Sequence, residues 1–282
     1  MGQTFRVDGY DLYYETMGQP DKPALLLVHG YTMSAHLWHT SIAALSADFY
    51  CVALDLLGHG RSPVDAQGDH TIEAQGWRVM ALAAHLGITR FHLMGHSMGG
   101  QIALYIASRL APDQILSLIV VDGVVSGKIA EPWRKAAVAP LKMVRGTPLV
   151  PLIAYIYHYT VPRFKWAARQ QLGVLWHDFE ARDFDWWRVD REHINRPGIH
   201  KTWFPAMDAC LNTEITPFVP HIHCPALVIY GANDAVIPAS EGEVLARLLP
   251  DCQLEIIPEC GHLPMYETTD RYVALLRAFL PG

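Results

Sequence analysis

Short, wholly apolar runs alternate along this chain with longer amphipathic ones. Residues 24–28 are apolar throughout, as a strand buried on both faces of a sheet should be. Residues 50–54, 91–94, 115–121, 226–230 and 253–257 are also predicted as strands. Between them lie helix-like segments at about 34–46, 71–86, 98–110, 240–249 and 270–280, with Thr71 placed as an N-cap and Gly87 as a stop. Ahead of them, residues 5–7 and 12–16 flank Asp8-Gly9, a good hairpin turn. Repeated β-α-β units predict an α/β fold: a mostly parallel central sheet with helices on both faces and the opening hairpin at one edge. Ligands of such sheets bind at the carboxyl ends of the strands, so chemistry is expected just after a strand.

The alternation fails between residues 124 and 213. That stretch holds six of the eight tryptophans, Trp133, Trp166, Trp176, Trp186, Trp187 and Trp203, and also Tyr155, Tyr157 and Tyr159. It is predicted as a helical cap inserted into a core made of residues 1–123 and 214–282. Aromatic residues there either pack the cap down or line an apolar pocket. A covered, dry site favours an apolar acyl or aryl group.

Composition narrows the classes. With 51% hydrophobic and 18% charged residues the chain is not disordered. A net charge of −6 with no Lys/Arg run excludes the basic face of a nucleic-acid binder. The same balance argues against adhesion to anionic lipid through charge. No run approaches 18 apolar residues, and the nearest, 148–159, is broken by Pro148, Pro151 and His158, so no transmembrane helix is expected. The polar start predicts no signal peptide, and Arg6 stands where a myristoylation motif wants Ser or Thr. Cys51, Cys210, Cys224, Cys252 and Cys260 form no disulfide framework, so a cytoplasmic location is expected.

The sharpest motif is Gly95-His96-Ser97-Met98-Gly99, followed by Gly100. It fits G-x-S-x-G and stands between a predicted strand and a predicted helix, the setting of a nucleophile on a strained turn. A serine hydroxyl needs a base. Of fifteen histidines, His262 combines a place just after a strand with a place near the C-terminus. His96, beside the serine in sequence, is expected to aim elsewhere. An acid should hold the imidazole, and Asp234, following strand 226–230, is the choice over its rival Asp122, which follows strand 115–121. His221, His223, Cys224, Cys260 and His262 offer metal-type ligands but assemble no tetrahedral set, so no metal is expected. The acidic run 177–183 reads as a solvated helix face. No nucleotide-binding pattern is present, and no cofactor is expected.

The order Ser97, Asp234, His262 resembles that of the α/β-hydrolase superfamily, in its capped serine esterase and lipase-like branch. His29-Gly30 and the loop Asp55-Leu56-Leu57-Gly58-His59-Gly60-Arg61-Ser62 resemble the family as well, the latter in a structural capacity. The resemblance implies an α/β-hydrolase fold and a carboxylic ester hydrolase acting on a small apolar ester. It implies that the backbone N–H groups of Met98 and Tyr31 hold the oxyanion. The loop His29-Gly30-Tyr31-Thr32 has a shorter form than HGGG, and in the family the shorter form goes with ordinary primary or secondary esters more than tertiary ones. C–C bond hydrolysis, perhydrolysis and a non-catalytic receptor role stay open as alternatives. Haloalkane dehalogenase and epoxide hydrolase chemistry is disfavoured, because those relatives carry Asp where Ser97 stands. An imidazole must be neutral to act as base, so activity should fall on the acid side of neutrality.

Overall fold

The structure, a computed structural model, describes residues 2–161, 163–180, 196 and 198–281. Strands β1 (Gly2–Val7) and β2 (Tyr10–Met17) pair antiparallel across Asp8 and Gly9. Both turn residues have positive φ, 52° and 83°, as a two-residue hairpin turn matching the strand twist requires. Then follow β3 (Ala24–Val28), β4 (Tyr50–Leu54), β5 (Phe91–His96), β6 (Ile115–Val121), β7 (Ala226–Gly231) and β8 (Cys252–Ile257). One eight-stranded sheet results, in the order β1-β2-β4-β3-β5-β6-β7-β8. From β4 to β8 all neighbours are parallel. Helices cover both faces, so β3, β4, β5 and β7 are buried at every position. That is why β3, β4 and β7 run apolar without alternation.

The core helices are α1 (His39–Leu45), α2 (Ile72–His85) and α3 (Met98–Tyr105), with further helices after β7. Thr71 caps α2, its Oγ1 accepting from the Ala74 N–H at 3.2 Å. Two helices differ from their sequence outlines. Residues 34–46 divide into a 3₁₀ turn, Ala35–Trp38, and α1. Residues 98–110 are α3 followed by a π turn, Ile106–Leu110. Ser108 Oγ donates back to the Leu104 carbonyl at 2.7 Å there, a bond that bends helices.

Between β6 and β7 the described residues form helices and links and no strand. They are α4 (Glu131–Trp133), a π turn (Arg134–Val138), α5 (Ala139–Val144), α6 (Leu149–Thr160), α7 (Lys165–Leu172) and α8 (Trp203–Asn212). Val138, Val150, Phe204 and Met207 form a small apolar core of their own within this segment. Ser126, near its start, is held by Glu241 of α9 (Ser240–Leu248), whose carboxylate accepts from the Ser126 N–H at 2.9 Å and Oγ at 2.8 Å. Trp176 and Trp203 are buried, whereas Trp166 is exposed. Trp186, Trp187 and residues 181–183 of the acidic run lie outside the described residues. The chain ends in α10 (Pro264–Glu267) and α11 (Thr269–Phe279), and α11 packs on α1.

Candidate active site

The turn between β5 and α3 is strained at one residue. Ser97 sits at φ 55° and ψ −120°, where an L-residue is sterically crowded. The surroundings fix it there. Its N–H donates to the Val121 carbonyl at 2.9 Å, and its carbonyl accepts from the Val124 N–H at 3.2 Å. Its side chain makes no capping bond to α3. The close approach explains the glycines. A Cβ on Gly99 would lie 2.1 Å from the Val28 carbonyl oxygen, and one on Gly95 would lie 2.2 Å from that of Gly99.

His262 follows β8 and Asp234 follows β7, both almost sealed from water. His262 Nδ1 donates to Asp234 Oδ2 at 2.7 Å. The other oxygen of Asp234 accepts from the N–H groups of Val236 at 2.6 Å and Ile237 at 3.0 Å. The carboxylate is thereby fixed and its Nδ1-facing oxygen selects one tautomer of the ring, with Nε2 bare. The backbone of His262 is braced as well: its N–H donates to the Leu175 carbonyl at 2.8 Å. Glu267 secures the same loop, accepting from the Gly261 N–H at 2.9 Å and from the His177 N–H at 2.7 Å. No sequence pattern singled out Glu267.

His96 turns to the His262 loop. Its Nε2 meets the His262 carbonyl at 2.8 Å and the two rings lie 4.6 Å apart. The strand β5 continues through His96, so its side chain points into the seam between β5 and the His262 loop. Burial, and secondarily His262, hold its pKa well below the usual imidazole range. A neutral His96 adds no charge beside His262.

Asp122, directly after β6, is fully buried and sits in the left-handed region at φ 45°. Its Oδ1 accepts from the Gly231 N–H at 2.9 Å, while no donor faces its Oδ2. Burial, and after it the neighbouring Asp234 carboxylate, raise its pKa well above the usual carboxylate range. Asp122 is thereby biased toward its neutral form, and His262 has Asp234 as its partner.

His96, Asp122 and His262 bring ligand atoms within 4.8 Å of one another, and among the described residues no other His, Cys, Asp and Glu side chains converge so. The loops feeding the site have their own clamps. His29 Nε2 accepts from the Leu56 N–H at 3.1 Å. Asp55 accepts from the N–H groups of Ala35 at 2.5 Å and Arg61 at 2.7 Å. Burial pushes the Asp55 pKa up to about 6.

Ser97, His96, His262 and Tyr31 line one pocket. Apart from Thr32 its remaining wall is apolar, with Trp133, Leu172, Leu175, Met207 and Leu211 contributed by the segment between β6 and β7.

A model of the alpha/beta hydrolase family matches residues 25–275. The chain belongs to this family. It is 30% identical, over 96% of its length and 98% of the relative's, to the pimeloyl-[acyl-carrier protein] methyl ester esterase of Chromobacterium violaceum. It is 24% identical, over 97% of its length and 80% of the relative's, to human monoacylglycerol lipase ABHD6. Among solved structures, a bacterial membrane phospholipase A superposes with a TM-score of 0.80 at 27% identity, covering 99% of this chain and 85% of that one. These relatives are hydrolases.

The Tyr31 hydroxyl donates to the Trp203 carbonyl at 3.0 Å, tying the loop after β3 to α8. Tyr31→Phe removes that bond and leaves the backbone N–H in place. The expected result is kcat within a few-fold of wild type and a stability loss of about 1 kcal/mol. Steady-state kinetics and denaturant melts check both. A large fall in kcat with unchanged stability would give the hydroxyl a role in the chemistry.

Proposed function

We propose that this protein is a serine hydrolase of carboxylic esters with an apolar acyl or aryl group, using Ser97, His262 and Asp234. The observation that carries the reading is the 2.7 Å bond from His262 Nδ1 to a buried Asp234, in a pocket that also contains Ser97 on its strained turn. With Nδ1 engaged, the Nε2 lone pair is the one available as base. Ser97 Oγ attacks the ester carbonyl as its proton passes to His262. Asp234 stabilises the imidazolium. The backbone N–H groups of Met98, at the start of α3, and of Tyr31 hold the oxyanion. As the tetrahedral intermediate collapses, the His262 proton goes to the leaving alkoxide. Water then adds to the acyl-enzyme by the same route and frees the acid and Ser97.

In this reading residues 124–213 act as a cap, supported by the apolar side chains they contribute to the pocket wall. No Lys, Arg, Asp or Glu is among the described residues lining the pocket, so burial of apolar surface drives substrate selection. The family relationship to an esterase and a lipase supports the reaction class. Unpaired thiols at all five cysteines fit a reducing cytoplasm.

A chain-length series of p-nitrophenyl esters, run beside a vinylogous 1,5-diketone as C–C substrate, tests the proposal. The expected result is ester turnover with kcat/KM rising along the short-to-medium acyl series, by about 3- to 4-fold per buried methylene. Turnover of the diketone with inert esters would replace ester by C–C hydrolysis.

A further inference from the structure

Ten large apolar side chains stand exposed among the described residues, and eight of them fall within residues 143–166. Met143 is 84% exposed, Tyr155 67% and Trp166 64%. On α6 the exposed residues Leu149, Leu152, Ile156 and Tyr159 follow one another at intervals of three and four, which sets them along one side of the helix. The other side is spoken for: Val150 is buried in the small core of the segment, and Tyr157 packs against the main one. A soluble surface seldom gathers so much apolar area without a partner.

Charge separates this face from the rest of the protein. The whole chain carries −6, yet residues 128–169 contain eight Lys and Arg against a single acid, Glu131. Lys142 and Arg145 precede α6, and Arg163, Lys165 and Arg169 follow it. Three acidic groups, Glu131, Glu180 and Asp208, pair with five of the eight and leave a positive excess. The Arg163 guanidinium lies 4.4 Å over the Tyr159 ring, and Phe164 and Trp166 stack at 6.1 Å. Apolar side chains fringed by Tyr, Trp, Lys and Arg match the layering of a bilayer boundary. There the aliphatic groups enter the acyl edge while the amphipathic ones sit at headgroup level. The whole-chain charge argued against anionic lipid only as an average; segregation of the charges removes the objection.

We propose that the exposed face of α6, with the ends of α5 and α7, docks on the surface of an anionic phospholipid bilayer. The protein would lie on the membrane, not across it: no helix among the described residues is long and apolar enough to span. A second copy of the chain is the poorer occupant. A two-fold dimer through this face would set positive excess against positive excess. A bilayer with acidic headgroups complements both the apolar stripe and the charge. The inference does not depend on the ester reaction, and its readout is binding.

The test is cosedimentation of the full chain with vesicles of phosphatidylcholine mixed with phosphatidylglycerol, against vesicles of phosphatidylcholine alone, at low and high salt. Binding is expected to the mixed vesicles and to weaken about ten-fold or more without the anionic lipid or at high salt. Leu152→Ser with Ile156→Ser and Trp166→Ser should lower partitioning at least about ten-fold. Lys142→Glu with Arg163→Glu should lower it by roughly 25-fold or more, at about five-fold per lost charge. All these positions are exposed, so both variants should melt with the wild type; a variant that does not is replaced by Tyr155→Ser with Lys142→Gln. Three results would overturn the proposal: no partitioning of wild type into mixed vesicles, equal partitioning of folded variants, or a dimer in sedimentation that the serine variant dissociates.

Discussion

Ser97→Ala should lower kcat for a p-nitrophenyl ester by roughly 10⁴–10⁶ while leaving KM within a few-fold. The asymmetry follows from where the hydroxyl acts. In the ground state Ser97 Oγ contributes little to holding an apolar acyl group, because the pocket wall is built from side chains such as Trp133, Leu172 and Met207. In the proposed mechanism it is the atom that forms the new bond in the transition state. Its removal also leaves His262 without a proton to accept. The scaffold should hold, since Ser97 is fixed through its backbone to Val121 and Val124 and its side chain caps nothing. What survives is catalysis by oxyanion donors and binding alone. The measurement is a full Michaelis–Menten comparison with a melting curve for each protein. Retained turnover in Ser97→Ala would remove the serine mechanism. A wild type that binds the ester tightly and never turns it over would indicate a receptor.

Much of this was legible in the sequence because the residues concerned obey local rules. β3 reads as a strand from its unbroken apolar run, a pattern that burial on both faces imposes. The elbow was legible because its glycines are demanded by contacts under 2.5 Å to backbone oxygens, which no other residue tolerates. The meeting of Asp234 and His262 was legible because a parallel sheet brings the loops after neighbouring strands together at one edge. The rest depends on what meets across the seam between strands. That His96 would turn to the His262 carbonyl depends on the distance between β5 and the loop after β8, which no local pattern encodes. The grip of Glu267 on Gly261 and His177 joins two loops ninety residues apart. The apolar stripe of α6 was visible as hydrophobic residues, but exposure on one side follows from which side the small core claims.

The same substitution at the two buried carboxyls should have opposite consequences. Asp234→Asn is expected to lower kcat by about 10³–10⁴, because the amide nitrogen turned to His262 would favour the wrong tautomer and could not stabilise the imidazolium. The Asn carbonyl would still accept from Val236 and Ile237, so the loop should stay formed. Asp122→Asn replaces a carboxyl that burial and Asp234 bias toward its neutral form. The new carbonyl accepts from Gly231 as Oδ1 does, and the amide can donate toward Asp234 in place of the O–H. Its kcat should stay within about five-fold of wild type. Stability adds an independent readout. An unfolded aspartate ionises near about pH 4, whereas the folded Asp122 is held protonated to well above that by burial and by Asp234. Between those two values the native state binds the extra proton, so the contribution of Asp122 to stability falls as pH rises. Asp122→Asn has no such proton to lose, and its melting temperature should gain on the wild type from pH 4 toward neutrality. Kinetics and melts of both variants across that range decide the matter. If Asp122→Asn loses activity as deeply as Asp234→Asn is expected to, while Asp234→Asn keeps it, the acid of the site is the residue after β6 and the 2.7 Å bond is structural.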